Sequence, residues 1–240
     1  TGAGLIGPPA GMSMDDFLKQ ATSQLGGTPA AGATPDQSSQ GGFPAVAYQA
    51  VILGGPGNID PGQSAQAIVN VPEGTWAAIA EGSQAPVQVT ATAGTPSAAG
   101  EPTAAVTITE IDFSFSGFDN VPAGPQIWRV DHKGTQPHML VLAQVPAETT
   151  MEQVTTAFNT PENATPAPGG LQPSDFKDRG GVFLQSKKTT VWLPLDLPAG
   201  RYLAVCFVPD PNKNNEPHAM EGMISLFNVG GGAATATPAG

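Results

Sequence analysis

The sequence predicts an all-β fold of the sandwich type, and three observations carry that expectation. Glycine and proline are abundant, at 30 and 25 of 240 residues, while charged residues make up only 12%, a balance suited to strands and turns rather than a helical bundle. Short runs of alternating apolar residues recur through the second half at the spacing of sandwich strands. Apolar residues at helical spacing are confined to two short stretches, so long helices are excluded.

The first stretch is Ser13-Met14-Asp15-Asp16-Phe17-Leu18-Lys19-Gln20, where a capping serine precedes acids that complement the helix dipole. Residues 25–42 then have the small, polar, Pro-interrupted composition of a linker, and residues 91–102 have it again. Between them Ala65, Ala67, Val69 and Val71 form an every-second-residue apolar face. Beyond the second linker, Val106 to Phe115 alternates as one half-buried strand, Pro122-Ala123-Gly124 turns the chain, and Ile127 to His132 makes the next strand. His138 to Val145 reads as a third. Thr150 caps a second short helix over residues 150–158, with Gln153 placed to close a capping box. Strands over 182–197, 201–208 and 222–229 complete six or seven. Trp76, Trp128, Trp192, Tyr202 and Phe113 are expected to anchor the core.

The two halves align as an internal repeat. Each has a short helix, a Pro/Gly-rich stretch, a Gly-Gly pair and then strands. The face Ala65, Ala67, Val69, Val71 recurs 126 positions later as Val191, Leu193, Leu195, Leu197. Pro72 then matches Pro198, Gly74 matches Gly200, Trp76 matches Tyr202 and Ile79 matches Val205. Ala80 falls where Cys206 stands, and the first copy contains no histidine. Matching the helices at Met14 and Met151 sets Thr1 opposite His138, so the first copy would lack its three leading strands. Half a sandwich leaves open edges and a bare apolar face. It needs a longer parent chain, packing on the second copy, or strands from a neighbouring chain. The expected organisation is therefore an incomplete first copy over residues 1–95, a fuller copy over 103–229 and a flexible tail over 230–240.

The formal charge of −11 comes from 20 acids and 9 bases with no basic stripe, which excludes nucleic acid as a partner. No apolar run is long enough for a transmembrane segment. A start at Thr1 rather than Met is expected for a chain whose leader, or a larger N-terminal piece, has been removed. With the Ala/Thr/Pro/Gly tracts, this predicts an extracellular or cell-envelope location. Cys206 is the single cysteine, so an internal disulfide is excluded and one thiol needs a reason. The simplest is a small buried hydrophobe. Asn163-Ala164-Thr165 matches a glycosylation sequon. No paired-carboxylate, Ser-His-Asp or phosphate-loop pattern points to an enzyme.

A sharper reading comes from the segment Pro198 to Cys206 followed by Pro217-His218-Ala219-Met220-Glu221-Gly222-Met223, with Val130-Asp131-His132-Lys133-Gly134-Thr135-Gln136-Pro137-His138 upstream. These residues resemble the ligand regions of cupredoxins, the plastocyanin and auracyanin type of blue copper protein, across residues 103–229. The resemblance implies a Greek-key β-sandwich and one type 1 copper held by His138, Cys206 and His218, with Met223 as axial ligand. Two imidazoles, a thiolate and a weak thioether suit both oxidation states of copper, so an electron passes with little rearrangement. Met139 and Met220 are expected to be packing residues, with Met220 the alternative axial sulfur if the long loop runs differently, and His132 is expected to face solvent or a turn.

One departure stands out. Eleven residues, Phe207 to Pro217, separate Cys206 from His218, where the family has only a few. Loop entropy tolerates this, but the histidine must still return to the metal. Two functions follow from the two outcomes. The first is an exported copper protein that passes single electrons to a redox partner protein without turning over a substrate. The second is a metal-free structural subunit of an extracellular or surface assembly, self-associating through its incomplete first half into a homo-oligomer or filament.

Overall fold

The computed structural model describes residues 2–24, 44–60, 62–80, 86–94, 100–161, 168–186 and 188–230. The expected linker at 25–42, the sequon at 163–165 and nearly all of the expected tail lie outside them. The first half contains β1 (Ala3–Gly7), α1 (Met14–Gln24), β2 (Val51–Gly54), β3 (Pro56–Gly57), β4 (Ile68–Val69), β5 (Gly74–Ala80) and β6 (Val87–Ala91). The second contains β7 (Val106–Ile111), β8 (Ser114–Ser116), β9 (Gly124–His132), β10 (His138–Val145), α2 (Met151–Asn159), β11 (Lys177–Gln185) and β12 (Thr190–Leu197). It ends with β13 (Gly200–Val205), β14 (Pro209–Asp210), β15 (Glu216–Pro217) and β16 (Ile224–Val229).

Among the described residues these strands form a largely β fold with two short helices. The larger sheet runs β16-β13-β10-β11-β2-β1-β5-β6, with β3 also on β11, and the smaller runs β4-β12-β9-β7-β8. The main core lies between them: Ile108, Trp128, Val130, Val191 and Leu193 from the smaller sheet meet Leu140, Leu142, Val182, Tyr202 and Phe227 from the larger. Both helices start as their caps require. Ser13 Oγ accepts from the Asp16 amide at 3.1 Å, and Thr150 and Gln153 close the capping box.

The first half does pack on the second, by continuing both sheets. Gln185 pairs with Leu53, and Gly181 and Val182 pair with Gly57 and Pro56, all antiparallel. Val191 and Trp192 pair with Val69 and Ile68. At this seam the Ile52 amide donates to Ser186 Oγ at 2.8 Å, and the Ser186 amide returns a bond to the Ile52 carbonyl at 2.9 Å.

Two expectations are corrected. Residues 106–115 are not one strand, because the chain turns at Asp112-Phe113 and returns as β8 against β7. The alternating run 65–71 is strand only at Ile68–Val69. Ala65 and Val71 are exposed, because among the described residues the run has a strand partner on one side alone.

Candidate metal centre

β10 begins at His138 and β13 ends one residue before Cys206, so two adjacent antiparallel strands bring both residues to one end of the larger sheet. The long segment after Cys206 is closed by its own hairpin. Pro209 pairs with Pro217 and Asp210 with Glu216, and Asn214 and Asn215 take left-handed φ values of 57° and 60° at its tip, a conformation asparagine tolerates. The His218 amide then bonds the Val208 carbonyl at 2.9 Å and the Ala219 amide bonds the Cys206 carbonyl at 2.9 Å. The detour leaves and returns at the same place, so His218 arrives beside Cys206.

Within the resulting group, His138 Nδ1 and His218 Nδ1 lie 3.0 Å apart. Cys206 Sγ is 3.5 Å from His218 Nδ1 and 4.0 Å from His138 Nδ1. All three side chains are fully buried, and among the described residues they form a cluster able to hold a metal ion. Met223 is fully buried too. Its amide donates to the His218 carbonyl at 2.9 Å, and its carbonyl accepts from the Cys206 amide at 3.1 Å.

The surrounding hydrogen bonds fix which nitrogens carry protons. His138 Nε2 is 2.7 Å from Asp112 Oδ1. Burial pushes the Asp112 carboxyl up, but bonds from Thr135, His138 and the Gln136 amide outweigh it and hold the group below the usual carboxylate range. An ionised carboxylate only accepts, so His138 carries its proton on Nε2. Gln136 Nε2 donates to Asp210 Oδ1 at 2.9 Å, which turns Gln136 Oε1 toward His218 Nε2 at 3.2 Å. That proton is also on Nε2. Burial pushes the His138 pKa down to about 3 and lowers that of His218, so both rings are neutral at physiological pH.

Two Nδ1 lone pairs therefore face each other at 3.0 Å beside a sulfur. Neutral imidazole with a free Nδ1 is the form that ligates a metal. The residues present fit a thiophilic first-row metal. Burial pushes the Cys206 thiol up to about 12, so without a metal this sulfur stays protonated. The Met139 amide donates to Sγ at 3.4 Å.

His132 is a correction. It is buried rather than solvent-facing. Its ring stacks on His138 with centroids 4.8 Å apart, and Nε2 bonds the Gln136 carbonyl at 2.8 Å, because β9 places it opposite Glu110 inside the smaller sheet. Phe113 is not a plain core anchor, since its ring lies 4.6 Å from that of His218. Asp112, Gln136 and Tyr48 are residues that sequence reasoning missed. Tyr48, from the first half, donates its hydroxyl to the Pro209 carbonyl at 2.5 Å and braces the hairpin.

No protein-family model and no curated protein sequence matches the chain. Among solved structures it is similar to a dithionite-reduced auracyanin from the photosynthetic bacterium Roseiflexus castenholzii, at 15% identity over 51% of this chain and 94% of that one, with a TM-score of 0.34. It is also similar to auracyanin A, a "blue" copper protein from Chloroflexus aurantiacus, at 22% identity over 51% and 95%, with a TM-score of 0.32. A multi-copper oxidase from Pediococcus acidilactici is similar at 11% identity over 67% and 36%, with a TM-score of 0.26.

Proposed function

We propose that the protein is a cupredoxin-like electron carrier. In this reading its second half, a Greek-key sandwich over residues 103–229, binds one copper through His138, Cys206 and His218, with Met223 as weak axial ligand. The observation that carries the reading is the convergence of two Nδ1 lone pairs and one thiol sulfur, all buried, from three separate segments of the chain. Bound copper would supply a one-electron couple, and the soft thiolate with two imidazoles is the donor set that suits it.

The rest of the chemistry belongs to the protein's own groups. Asp112 and Gln136 hold the two rings in the tautomer that aims Nδ1 inward. Burial of the donors excludes water and keeps their positions fixed, which lowers the cost of changing charge at the site. Phe113 at the His218 ring provides an apolar edge beside the site. We further read the chain as passing single electrons to a redox partner protein outside the cell or in its envelope, with no substrate turnover. No helix among the described residues is long and apolar enough to cross a membrane.

The test is metal analysis with electrochemistry. One copper per chain and a reversible one-electron wave, both lost in Cys206→Ala and His218→Ala, are the expected results. A purified chain that takes up no copper, or keeps it after both substitutions, contradicts the reading.

A further inference from the structure

The hairpin that returns His218 carries a second group of donors, all oxygen. Counted from Asp210, the stretch that ends at Glu221 has twelve residues, with Asn212 third, Asn214 fifth and Glu221 last. Those are the positions from which a calcium loop of the EF-hand type supplies its side-chain oxygens. The sixth position of such a loop is a glycine, because the backbone turns sharply there. Here it is Asn215, whose φ of 60° is the left-handed conformation that the glycine serves. β15 then runs back along β14, and one helical turn, His218–Glu221, returns Glu221 to Asp210, as the last ligand of a loop must return to its first. The side chains meet accordingly. Asn212 Nδ2 donates to Asp210 Oδ1 at 3.1 Å, and the Asp210 and Glu221 carboxyls share a hydrogen bond. Gln136 Nε2 and the Asn212 amide also donate to Asp210 Oδ1, at 2.9 and 2.8 Å, and so fix the orientation of a carboxylate that is only 2% exposed.

Glu221 supplies an independent sign of a ligand. Its side chain is 11% exposed, and its Oε1 is buried with no hydrogen-bond partner, a costly state for a carboxylate oxygen. Lys213 comes near Oε2 alone, at 4.0 Å, and its own side chain is 62% exposed, so it does not fill the place beside Oε1. Two carboxyls in contact hold either a shared proton or a cation. Burial and the neighbouring Asp210 push the Glu221 pKa up, which is the protonated arrangement; a cation takes the place of that proton. We propose that this hairpin is a calcium site, with Asp210, Asn212, Asn214 and Glu221 as its side-chain ligands. Oxygen donors without nitrogen or sulfur select Ca²⁺ over the metals that suit the neighbouring His138, Cys206 and His218. Only two of the four donors are carboxylates, which places the site in the weak class, with a Kd of about 10⁻⁴–10⁻³ M. The site requires no copper at the neighbouring cluster.

Titration of the full chain with CaCl₂, followed by amide NMR under a reductant that keeps any bound copper diamagnetic, tests this. The expected result is that the amides between Asn212 and Glu221 shift together and saturate with a Kd in that range. The Kd rises at least tenfold in Glu221→Gln, which keeps the shape of the side chain, and in Asn212→Ala. Glu152→Gln, which removes an acid from α2, leaves it unchanged. MgCl₂ binds at least tenfold more weakly, because Mg²⁺ gives up its water reluctantly to such a loop. No saturable shift in these amides up to about 10 mM Ca²⁺, tenfold above the weak class, overturns the proposal and leaves Lys213 as the cation of the hairpin. Saturation with an unchanged Kd in Glu221→Gln overturns it as well.

Discussion

Asp112 and Gln136 do the same work for two different rings. Each accepts an Nε2 proton and so leaves Nδ1 free to face the sulfur. Partners of this kind are worth roughly 10–100-fold in metal affinity. Asp112→Ala is therefore expected to weaken copper binding by about that factor in a competition titration, whereas Asp112→Asn, which keeps an accepting oxygen, recovers most of it. Glu110 sets a second prediction. It is fully buried, neither carboxylate oxygen has a partner, and burial pushes its pKa up to about 8. The folded state holds this proton where an unfolded glutamate releases it, so its contribution is complete at low pH and is lost as pH rises toward 8. Between pH 6.5 and 8, above the histidine range, chemical denaturation should show stability falling with pH. Glu110→Gln should flatten that slope. The three members of the cluster, His138, Cys206 and His218, stood out in the sequence because the segments around them resemble ligand regions and because their types are scarce, with three histidines and one cysteine in the chain. Asp112 and Gln136 did not, since carboxylates and amides are common and their bonds to the rings span the fold. His132 was misread because its neighbour Lys133 suggested a turn, while β9 in fact carries it inward opposite Glu110.

At the scale of elements, the hairpin of β14 and β15 decides whether Cys206 and His218 can share a metal. Its tip depends on Asn214 and Asn215 in the left-handed region. Replacing Asn215 by valine costs about 1–2 kcal/mol there, and this should appear as weaker copper binding with little change in the melting of the rest of the fold. The Gly54-Gly55 and Gly180-Gly181 pairs show a related constraint. Their φ values are 86° and 159° in the first half and 82° and 151° in the second. A Cβ on Gly55 would run into the Ala3 carbonyl, and one on Gly181 into that of Leu140. Both helices were legible from their caps. The hairpin was not, because Pro209, Pro211 and Pro217 interrupt any alternation and only the pairing across the turn defines it.

For the whole molecule, the first half shares both sheets with the second, and Ile52 sits fully buried at the seam. Ile52→Ala should cost about 2–5 kcal/mol and lower the melting of the whole chain in one transition, as calorimetry would show. The matched glycine pairs, the Trp76 and Tyr202 anchors and the mirrored order of the larger sheet support our reading of the chain as a duplicated unit. In that reading residues 1–95 and 103–229 are its incomplete and fuller copies. The expectation of a repeat came from turn glycines and aromatic anchors that keep their spacing. The continuous sheet was not legible, because pairing between β2 and β11 depends on two edges meeting, which no local pattern records.

The account rests on one claim, that His138, Cys206 and His218 hold a single copper. Titrating the purified chain with Cu(II) while following visible absorption tests it most directly. The account predicts an intense thiolate-to-copper band that saturates at one equivalent and is absent in Cys206→Ala. A colourless chain at excess copper, or a band of equal strength in Cys206→Ala, would contradict it.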